Sequence, residues 1–183
     1  DSPVKFAMLT NGALFSGKIA DIFAKRGSWV RVSIDGWDSP SYEGYRGADD
    51  FEKVLSNIKG FKSDKCLVGI NLVVNEWNAS HLYELVGKLA ECINTLKISP
   101  CVVNDEAYKN YIYHKKISPV VDEQIANIKK DFKIPIYNSY RGLLGGFFKD
   151  YSWCPNIQMR PVIGADQVIY SCHDKAYTKS GVL

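Results

Sequence analysis

The sequence lacks the features that mark several large classes of protein. No apolar run approaches the roughly 20 residues that a membrane-spanning helix needs, and no signal peptide is visible. The 23 basic and 20 acidic residues nearly cancel, so the net charge of +3 provides no broad cationic face. Neither nucleic acid nor a membrane is therefore an expected partner. No phosphate-binding P-loop and no GxGxxG dinucleotide motif occurs either.

Cysteine is present but scattered. The five cysteines stand at 66, 92, 101, 154 and 172, an odd number without the dense spacing of disulfide-rich secreted proteins. We therefore expect a reducing, cytoplasmic compartment. Cys154 in "WCP" and Cys172 at the end of "QVIYSC" frame a turn-rich stretch. From the residues alone, this pair fits structural thiols, a disulfide, half of a zinc site or two ligands of an iron–sulfur cluster.

Strand-like and helix-like segments alternate along most of the chain. The expected strands are 4–10, 29–35, 67–75 and 95–103, and the expected helices are 13–27, 47–61, 78–93 and 118–132. Repeated βα units predict an α/β fold, a partial TIM-type (β/α) barrel of parallel strands with right-handed crossovers. After residue 134 the pattern changes to loop rich in Gly, Tyr and Trp, which divides the chain into domains 1–134 and 135–183.

Polar and apolar residues alternate within the predicted strands. In "VRVSID", Val30, Val32 and Ile34 fall on one face, whereas Arg31 and Ser33 fall on the other. Asn71, Asn75, Lys97 and Ser99 continue this polar face in the next two strands. If the apolar set packs against helices, the polar set lines the inside of the barrel, where a bound polar ligand would satisfy it. An antiparallel sheet with one wet face is the alternative.

Ligands of such barrels bind at the C-terminal ends of the strands. The residues predicted there are short and polar, namely Thr10, Asn11 and Gly12, then Asp35, then Asn75. They suit hydroxyl groups, amides and a ribose. Lys97 offers Schiff-base chemistry as an alternative, although an inward lysine is more often paired with a carboxylate.

Several stretches together resemble the radical S-adenosylmethionine (SAM) superfamily. They are "LTNGALF", "VRVSIDG" with "YEGYRG" and "FEKVLSNI", then "GINLVVNEWN", and finally "WCP" with "GADQVIYSC", in this order along the chain. The branch with a C-terminal SPASM or Twitch cluster domain is the most similar. By this resemblance, residues 1–134 are a partial radical SAM barrel. Residues 135–183 then begin the cluster domain.

The resemblance implies a set of SAM contacts. "TNG" gives Thr10, Asn11 and Gly12, and "SID" gives Ser33 and Asp35. Arg46 in "YRG" matches an arginine that meets the SAM carboxylate, and Asn75 matches the polar end of the following strand. A solvent-facing loop is the other interpretation of Arg46, and a local turn network is that of Ser33 and Asp35.

Two departures from the family pattern are visible. The CxxxCxxC motif that holds the catalytic [4Fe–4S] cluster is absent. We therefore expect this chain to be a fragment whose catalytic cysteines precede it and which is inactive alone. In the SPASM signature a glycine precedes the second cysteine, and four residues separate the two. Here Gln167 occupies that position, and Gly164 lies three residues earlier.

The resemblance answers what the cysteine pair does. Cys154 and Cys172 are then metal ligands, at the two ends of a small β-hairpin that helps to hold an auxiliary [4Fe–4S] cluster. Zinc bound by the same thiolates remains the alternative, as part of a non-catalytic interaction module on a degenerate α/β barrel. The remaining three cysteines are expected in the core.

The expected activity follows from the same resemblance. The intact protein would form a 5′-deoxyadenosyl radical from SAM and abstract hydrogen from a peptide, a protein or a small molecule. A reductant such as flavodoxin or ferredoxin would supply the electron.

Overall fold

The computed structural model describes residues 4–103, 107–140, 161–172, 176–177, 179 and 182–183. The chain divides into two compact units, Asp1–Phe147 and Phe148–Leu183. Within the described residues, no helix is both long and apolar enough to cross a membrane.

The first unit is a five-stranded parallel sheet with helices between its strands. In chain order the elements are β1 Phe6–Thr10, α1 Gly17–Arg26, β2 Gly27–Ser33, α2 Ser39–Arg46, α3 Phe51–Gly60, β3 Leu67–Val74, α4 Leu82–Gly87, β4 Thr95–Pro100, α5 Ala107–Asp131 and β5 Ile136–Asn138. The strand order is β1-β2-β3-β4-β5, and every pair is parallel. The predicted α/β fold of parallel strands is confirmed. The sheet also continues past residue 134, because β5 pairs with β4.

One face of the sheet forms the core of this unit. Because each strand lies beside the next one in sequence, right-handed crossovers bring all the helices to the same side. Strand residues of one parity are buried there, including Val30, Val32, Ile70, Leu72, Leu96 and Ile98. The helices contribute Leu55, Ile58, Leu85, Val121, Ile125 and Ile128 to the same cluster. The predicted alternation therefore describes the strands correctly.

The opposite side of the sheet, here called the open face, carries the residues of the other parity. Those with half-buried or exposed side chains include Leu9, Trp29, Arg31, Ser33, Leu67, Asn71, Lys97, Ser99 and Tyr137. The polar residues expected on this face lie there. The face also carries large apolar side chains on β1, β2, β3 and β5, which the alternation did not indicate.

Helix α2 was not predicted, and its start is encoded locally. The Asp38 carboxylate accepts a hydrogen bond from the Ser41 backbone N–H at 2.8 Å, and the Ser41 hydroxyl accepts one from the Asp38 N–H at 3.0 Å. This reciprocal pair is a capping box, with a proline in the first turn. The helix ends at Gly47, whose φ of 66° favours glycine. This short helix presents Arg46 in its last turn.

Helix α5 starts earlier than the sequence indicates. Pro119 was expected in the first turn of a helix over 118–132, but it lies inside a helix of 25 residues. A proline inside a helix leaves the carbonyl four residues before it without its usual N–H donor. The Ser118 hydroxyl donates to that carbonyl, of Lys115, at 3.3 Å. A local side chain thus replaces the bond that the proline removes.

A buried histidine joins α5 to the ends of β4 and β5. His114 is fully buried, with Nε2 2.7 Å from the Cys101 carbonyl oxygen and Nδ1 2.9 Å from the Tyr140 hydroxyl. A carbonyl only accepts, so Nε2 carries the proton and Nδ1 accepts from Tyr140. Burial lowers the pKa of His114, against a smaller opposing effect of the Cys101 carbonyl. The folded state therefore favours the neutral form of the His114 ring.

The second unit contains a small antiparallel hairpin, β6 Val162–Ile163 paired with β7 Ile169–Tyr170. In its turn, Gly164 and Val168 are joined by a backbone hydrogen bond of 2.8 Å. Gln167 has a φ of 64°, a left-handed conformation that glycine adopts with less strain. Gln167, which stands where the SPASM resemblance leads us to expect glycine, therefore takes a glycine-like backbone conformation.

We predict that replacing Tyr140 with Phe will lower the free energy of unfolding by about 1–3 kcal/mol, because the buried Nδ1 of His114 loses its donor. Tyr137→Phe is the matched control, since that hydroxyl lies on an exposed side chain and makes no hydrogen bond among the described residues. It should change stability by no more than about 0.5 kcal/mol. Urea unfolding of both variants measures the difference, and equal losses would contradict this role of the buried network.

Candidate functional site

The predicted ligand-binding residues gather at one edge of the sheet, where the parallel strands end. Thr10 is the last residue of β1 and Ser33 the last of β2, while Asn75 directly follows β3. Thr10 is in register with Val32, one residue before Ser33. The carboxyl ends of parallel strands share an edge, so these motifs from separate parts of the sequence become neighbours.

An ion pair between Asp35 and Arg46 occupies the end of β2. The Arg46 Nη2 atom lies 2.5 Å from Asp35 Oδ2, 3.0 Å from the Ser33 hydroxyl and 3.3 Å from the Ser33 carbonyl oxygen. Asp35 follows the strand, whereas Arg46 comes from the end of α2. Ser33, Asp35 and Arg46 are thus brought together in one polar cluster, here called the Asp35 cluster.

Asp35 is also tied to β3. Its second carboxylate oxygen, Oδ1, accepts from the Val73 backbone N–H at 2.9 Å. Its backbone carbonyl accepts from the Asn78 side-chain amide at 3.1 Å. Burial raises the pKa of the Asp35 carboxyl, while the Val73 N–H and the Arg46 guanidinium oppose that rise. The two donors therefore favour the ionised carboxyl against the effect of burial.

Arg46 retains donors for a further partner. All three of its hydrogen bonds within the described residues use Nη2, and its side chain is 30% exposed. Nη1 and Nε make none in this part of the chain. A guanidinium fixed through one nitrogen can still donate to a carboxylate or phosphate from a nitrogen that is not engaged. Asp35 is only 12% exposed, so it acts here chiefly by positioning Arg46.

Asn75 organises the loop after β3. Its side-chain oxygen accepts from the Tyr45 hydroxyl at 2.8 Å and from the Trp77 backbone N–H at 2.9 Å. Its backbone N–H donates to the Asn78 side-chain oxygen at 2.9 Å. The Asn75 amide nitrogen makes no hydrogen bond within the described residues, which leaves a donor at the strand end. Sequence analysis did not identify Tyr45 or Asn78, although both lie within the motifs that were quoted.

The "TNG" stretch forms a tight turn. The Thr10 hydroxyl accepts from the Gly12 N–H at 3.1 Å, and the Asn11 side-chain oxygen accepts from the Ala13 N–H at 3.2 Å. Gly12 has a φ of 83°, and a Cβ there would lie 2.7 Å from a Val32 methyl carbon. Asn57 of α3 donates to the Gly12 carbonyl at 2.9 Å. The geometry of the turn is therefore enough to explain why the sequence has Thr10, Asn11 and glycine here, and no ligand is needed.

Aromatic side chains border the same strand ends. Trp37 and His81 stack with ring centroids 3.8 Å apart and planes inclined by 5°. Tyr45 and Trp77 meet edge to face at 6.0 Å, and Trp77 is 66% exposed. Sequence analysis did not single out these residues. The available signal was their position, directly after strand ends in "DGW" and "NEWNASH".

The described residues contain no assembled metal site. Within them, no group of three or more His, Cys, Asp or Glu side chains lies close enough to hold an ion. Cys172 follows β7 as a half-buried free thiol, and Cys154 lies outside the described residues. Cys66 is buried in the core and Cys92 packs against it, while Cys101 is half-buried at the end of β4. The metal role of Cys154 and Cys172 stays a prediction.

We predict that Arg46→Met will raise the pKa of Asp35 further, because the guanidinium is one of the groups that oppose the effect of burial. Titration of the Asp35 side-chain carbon by NMR measures the change. Arg26→Met, at the exposed end of α1, is the control and should leave that pKa unchanged. An unaltered pKa in Arg46→Met would show that the ion pair does not form in solution.

Comparison with protein-family models and with curated proteins gives no match. Among solved structures, the chain is similar to the crystal structure of a domain of pyruvate-formate lyase-activating enzyme from Bacteroides vulgatus ATCC 8482. The TM-score is 0.49 and the sequence identity 11%, over 72% of this chain and 80% of that one. A likeness of this degree identifies neither a substrate nor a mechanism.

Proposed function

We propose that this chain is the SAM-binding part of a radical SAM enzyme. The observation that carries the proposal is the Asp35 cluster. Two stretches of sequence that resemble family motifs meet at the C-terminal edge of a parallel sheet, where they fix an arginine with unused donors. When bound to SAM and reduced, a [4Fe–4S] cluster would supply the 5′-deoxyadenosyl radical that abstracts hydrogen from the substrate.

The residues present fit the polar groups of SAM. Arg46 would donate to the carboxylate through Nη1, while Asp35 holds the guanidinium through Nη2. The Ser33 hydroxyl and the Asn75 amide nitrogen lie at the ends of neighbouring strands and suit ribose hydroxyls. The remaining lone pairs of Asp35 would accept from the same hydroxyls. The turn at Thr10, Asn11 and Gly12 would border the SAM site without binding SAM through its side chains. Its two side-chain oxygens already accept hydrogen bonds from backbone N–H groups of the turn.

The iron–sulfur part of the proposal rests on residues that the described structure does not assemble. Cys154 and Cys172 would contribute two thiolates to an auxiliary cluster at the hairpin. Further ligands, and all three of those for the catalytic cluster, would come from outside these 183 residues, since the sequence contains no CxxxCxxC. The substrate would be a peptide, a protein or a small molecule, with flavodoxin or ferredoxin as the electron donor.

We expect Asp35→Ala to weaken SAM binding by about tenfold to a hundredfold, because Arg46 loses the carboxylate that orients it and a charge-assisted hydrogen bond disappears. The measurement is isothermal titration of SAM into the anaerobically reconstituted intact enzyme, with its catalytic cluster. Asp21→Ala removes an equal charge from the exposed surface of α1 and serves as the control. If SAM binds both variants as it binds the parent, the Asp35 cluster is not the SAM site.

Replacement of Cys154 or Cys172 by Ala should remove about one cluster's worth of iron from the protein, and the double variant should lose no more than either single one. The two thiolates would serve the same site, so their effects are not additive. Cys92→Ala is the control for loss of a thiol.

Iron and zinc analysis of these variants separates the three interpretations of the pair. Loss of zinc with iron unchanged would support the interaction module in place of the cluster. Loss of neither metal, with a reductant reproducing the effect of the substitutions, would indicate a disulfide.

A further inference from the structure

The open face carries two cationic side chains and no anion to balance them. Arg31 of β2 and Lys97 of β4 are its only charged residues on paired strands. Within the described residues, neither forms an ion pair. Asp35, beyond the end of β2, is already engaged by Arg46. The middle of the face therefore presents unneutralised positive charge.

Arg31 and Lys97 lie on either side of a stretch of β3 that contains Gly69. Gly69 is in register with Arg31 on one side and with Thr95 on the other, and Asn71 is in register with Lys97. From the spacing of strands and residues, the Cα atoms of Arg31 and Lys97 are about 12 Å apart. A Cβ on Gly69 would overlap the Thr95 hydroxyl. No side chain can therefore fill the space between the two cations at this position. We call Arg31, Gly69, Asn71, Thr95 and Lys97 the basic strip.

Arg31 is held by an aromatic ring instead of an acid. Its guanidinium carbon lies 5.1 Å from the centroid of the Trp29 ring, a cation–π contact. Its Nε atom is buried and has no hydrogen-bond partner. The aromatic contact holds the guanidinium without neutralising its charge. The strip therefore keeps positive charge that an anionic ligand would meet.

The surroundings of the strip favour an extended ligand over a compact one. Leu9, Leu67 and Tyr137 border it, and each is more than half exposed. Sites for small molecules normally bury most of the ligand's surface, and this face is open. An extended peptide instead lies along such a surface, with some side chains in polar contacts and others against apolar neighbours.

We propose that the basic strip binds a peptide segment with acidic side chains. Carboxylates of that segment would accept hydrogen bonds from Arg31 and Lys97, and the Asn71 amide would pair with its backbone. Apolar side chains of the peptide would pack on Trp29 and Leu67. This inference rests on the proposed function, because it names the substrate class of the same protein, which approaches the strand ends from the open face.

The test is fluorescence anisotropy with two labelled peptides, Gly-Glu-Ala-Glu-Gly and its glutamine counterpart Gly-Gln-Ala-Gln-Gly. We expect the Glu peptide to bind and the Gln peptide to bind at least tenfold more weakly. Lys97→Met and Arg31→Met should each weaken binding of the Glu peptide about tenfold, the value of one charge-assisted hydrogen bond. Lys97→Arg should retain binding. Lys18→Met, on the exposed surface of α1, should behave as the parent.

The remaining outcomes are equally decisive. Equal binding of both peptides, or equal binding by Lys97→Met and Lys18→Met, would overturn the proposal. So would citrate or inorganic phosphate binding with the same dependence on Lys97 while the Glu peptide does not bind, because the strip would then serve a small anion. Unfolding curves show whether each variant is folded. If Lys97→Met does not fold, Lys97→Arg still tests whether a positive charge at this position is enough for binding.

SAM titration of the same variants keeps the two proposals apart. Normal SAM binding with no preference for the Glu peptide would reject the basic strip alone. Glu-peptide binding that depends on Lys97, in a protein that does not bind SAM, would reject the radical SAM assignment and keep the strip.

Discussion

The sequential order of the parallel strands is the constraint on which the rest of this structure depends. Because every crossover has the same hand, every helix lies on one face of the sheet. One parity of strand residues is therefore buried, and among the described residues of this unit no helix covers the other. In a sheet covered on both sides, strands read as continuous apolar runs. Here the residues alternate, and the polar half of the pattern marks a face built to meet something else.

At the end of β2 a single carboxylate connects the parts that this topology brings together. Asp35 accepts from β3 through Val73, pairs with Arg46 from α2, and holds Asn78 through its backbone carbonyl. Gly36 follows directly, and a Cβ there would overlap the backbone of Tyr42, so α2 can approach closely only because glycine is present. A partly buried acid is costly unless it is paired and hydrogen-bonded. Local packing and the candidate site therefore depend on the same few contacts.

Much of this arrangement could be predicted from the sequence. Periodicity indicated four of the five strands of the sheet and, for β2, β3 and β4, the face that each buries, because apolar burial imposes a period of two on a strand. It missed β5, whose three residues are too few to establish a period. It also missed α2, an eight-residue helix whose capping box outweighs its weak apolar pattern. Pro119 was taken as a helix start, because the compensating hydroxyl of Ser118 is visible only in three dimensions.

The candidate site, like the fold, could be predicted from the sequence only in part. Strand-end positions placed Asp35 and Asn75 on one edge, since the ends of parallel strands necessarily meet, and the resemblance to radical SAM motifs added Ser33. The sequence did not show that Asp35 would be paired with Arg46, or that Thr10 and Asn11 would use their oxygens in their own turn. Those contacts depend on side-chain distances across different elements, which no linear spacing encodes.

The charges on the sheet divide into two environments that call for different ligands. At the strand end, Arg46 is neutralised by Asp35, so a ligand there meets directional donors with little net charge, as suits a ligand with a carboxylate and ribose hydroxyls. On the basic strip, Arg31 and Lys97 have no acid beside them among the described residues, so a ligand there must bring negative charge of its own. Under the two proposals, this difference in charge would keep the two ligands from exchanging places. A cofactor and a substrate that meet on one face of a sheet would need that separation.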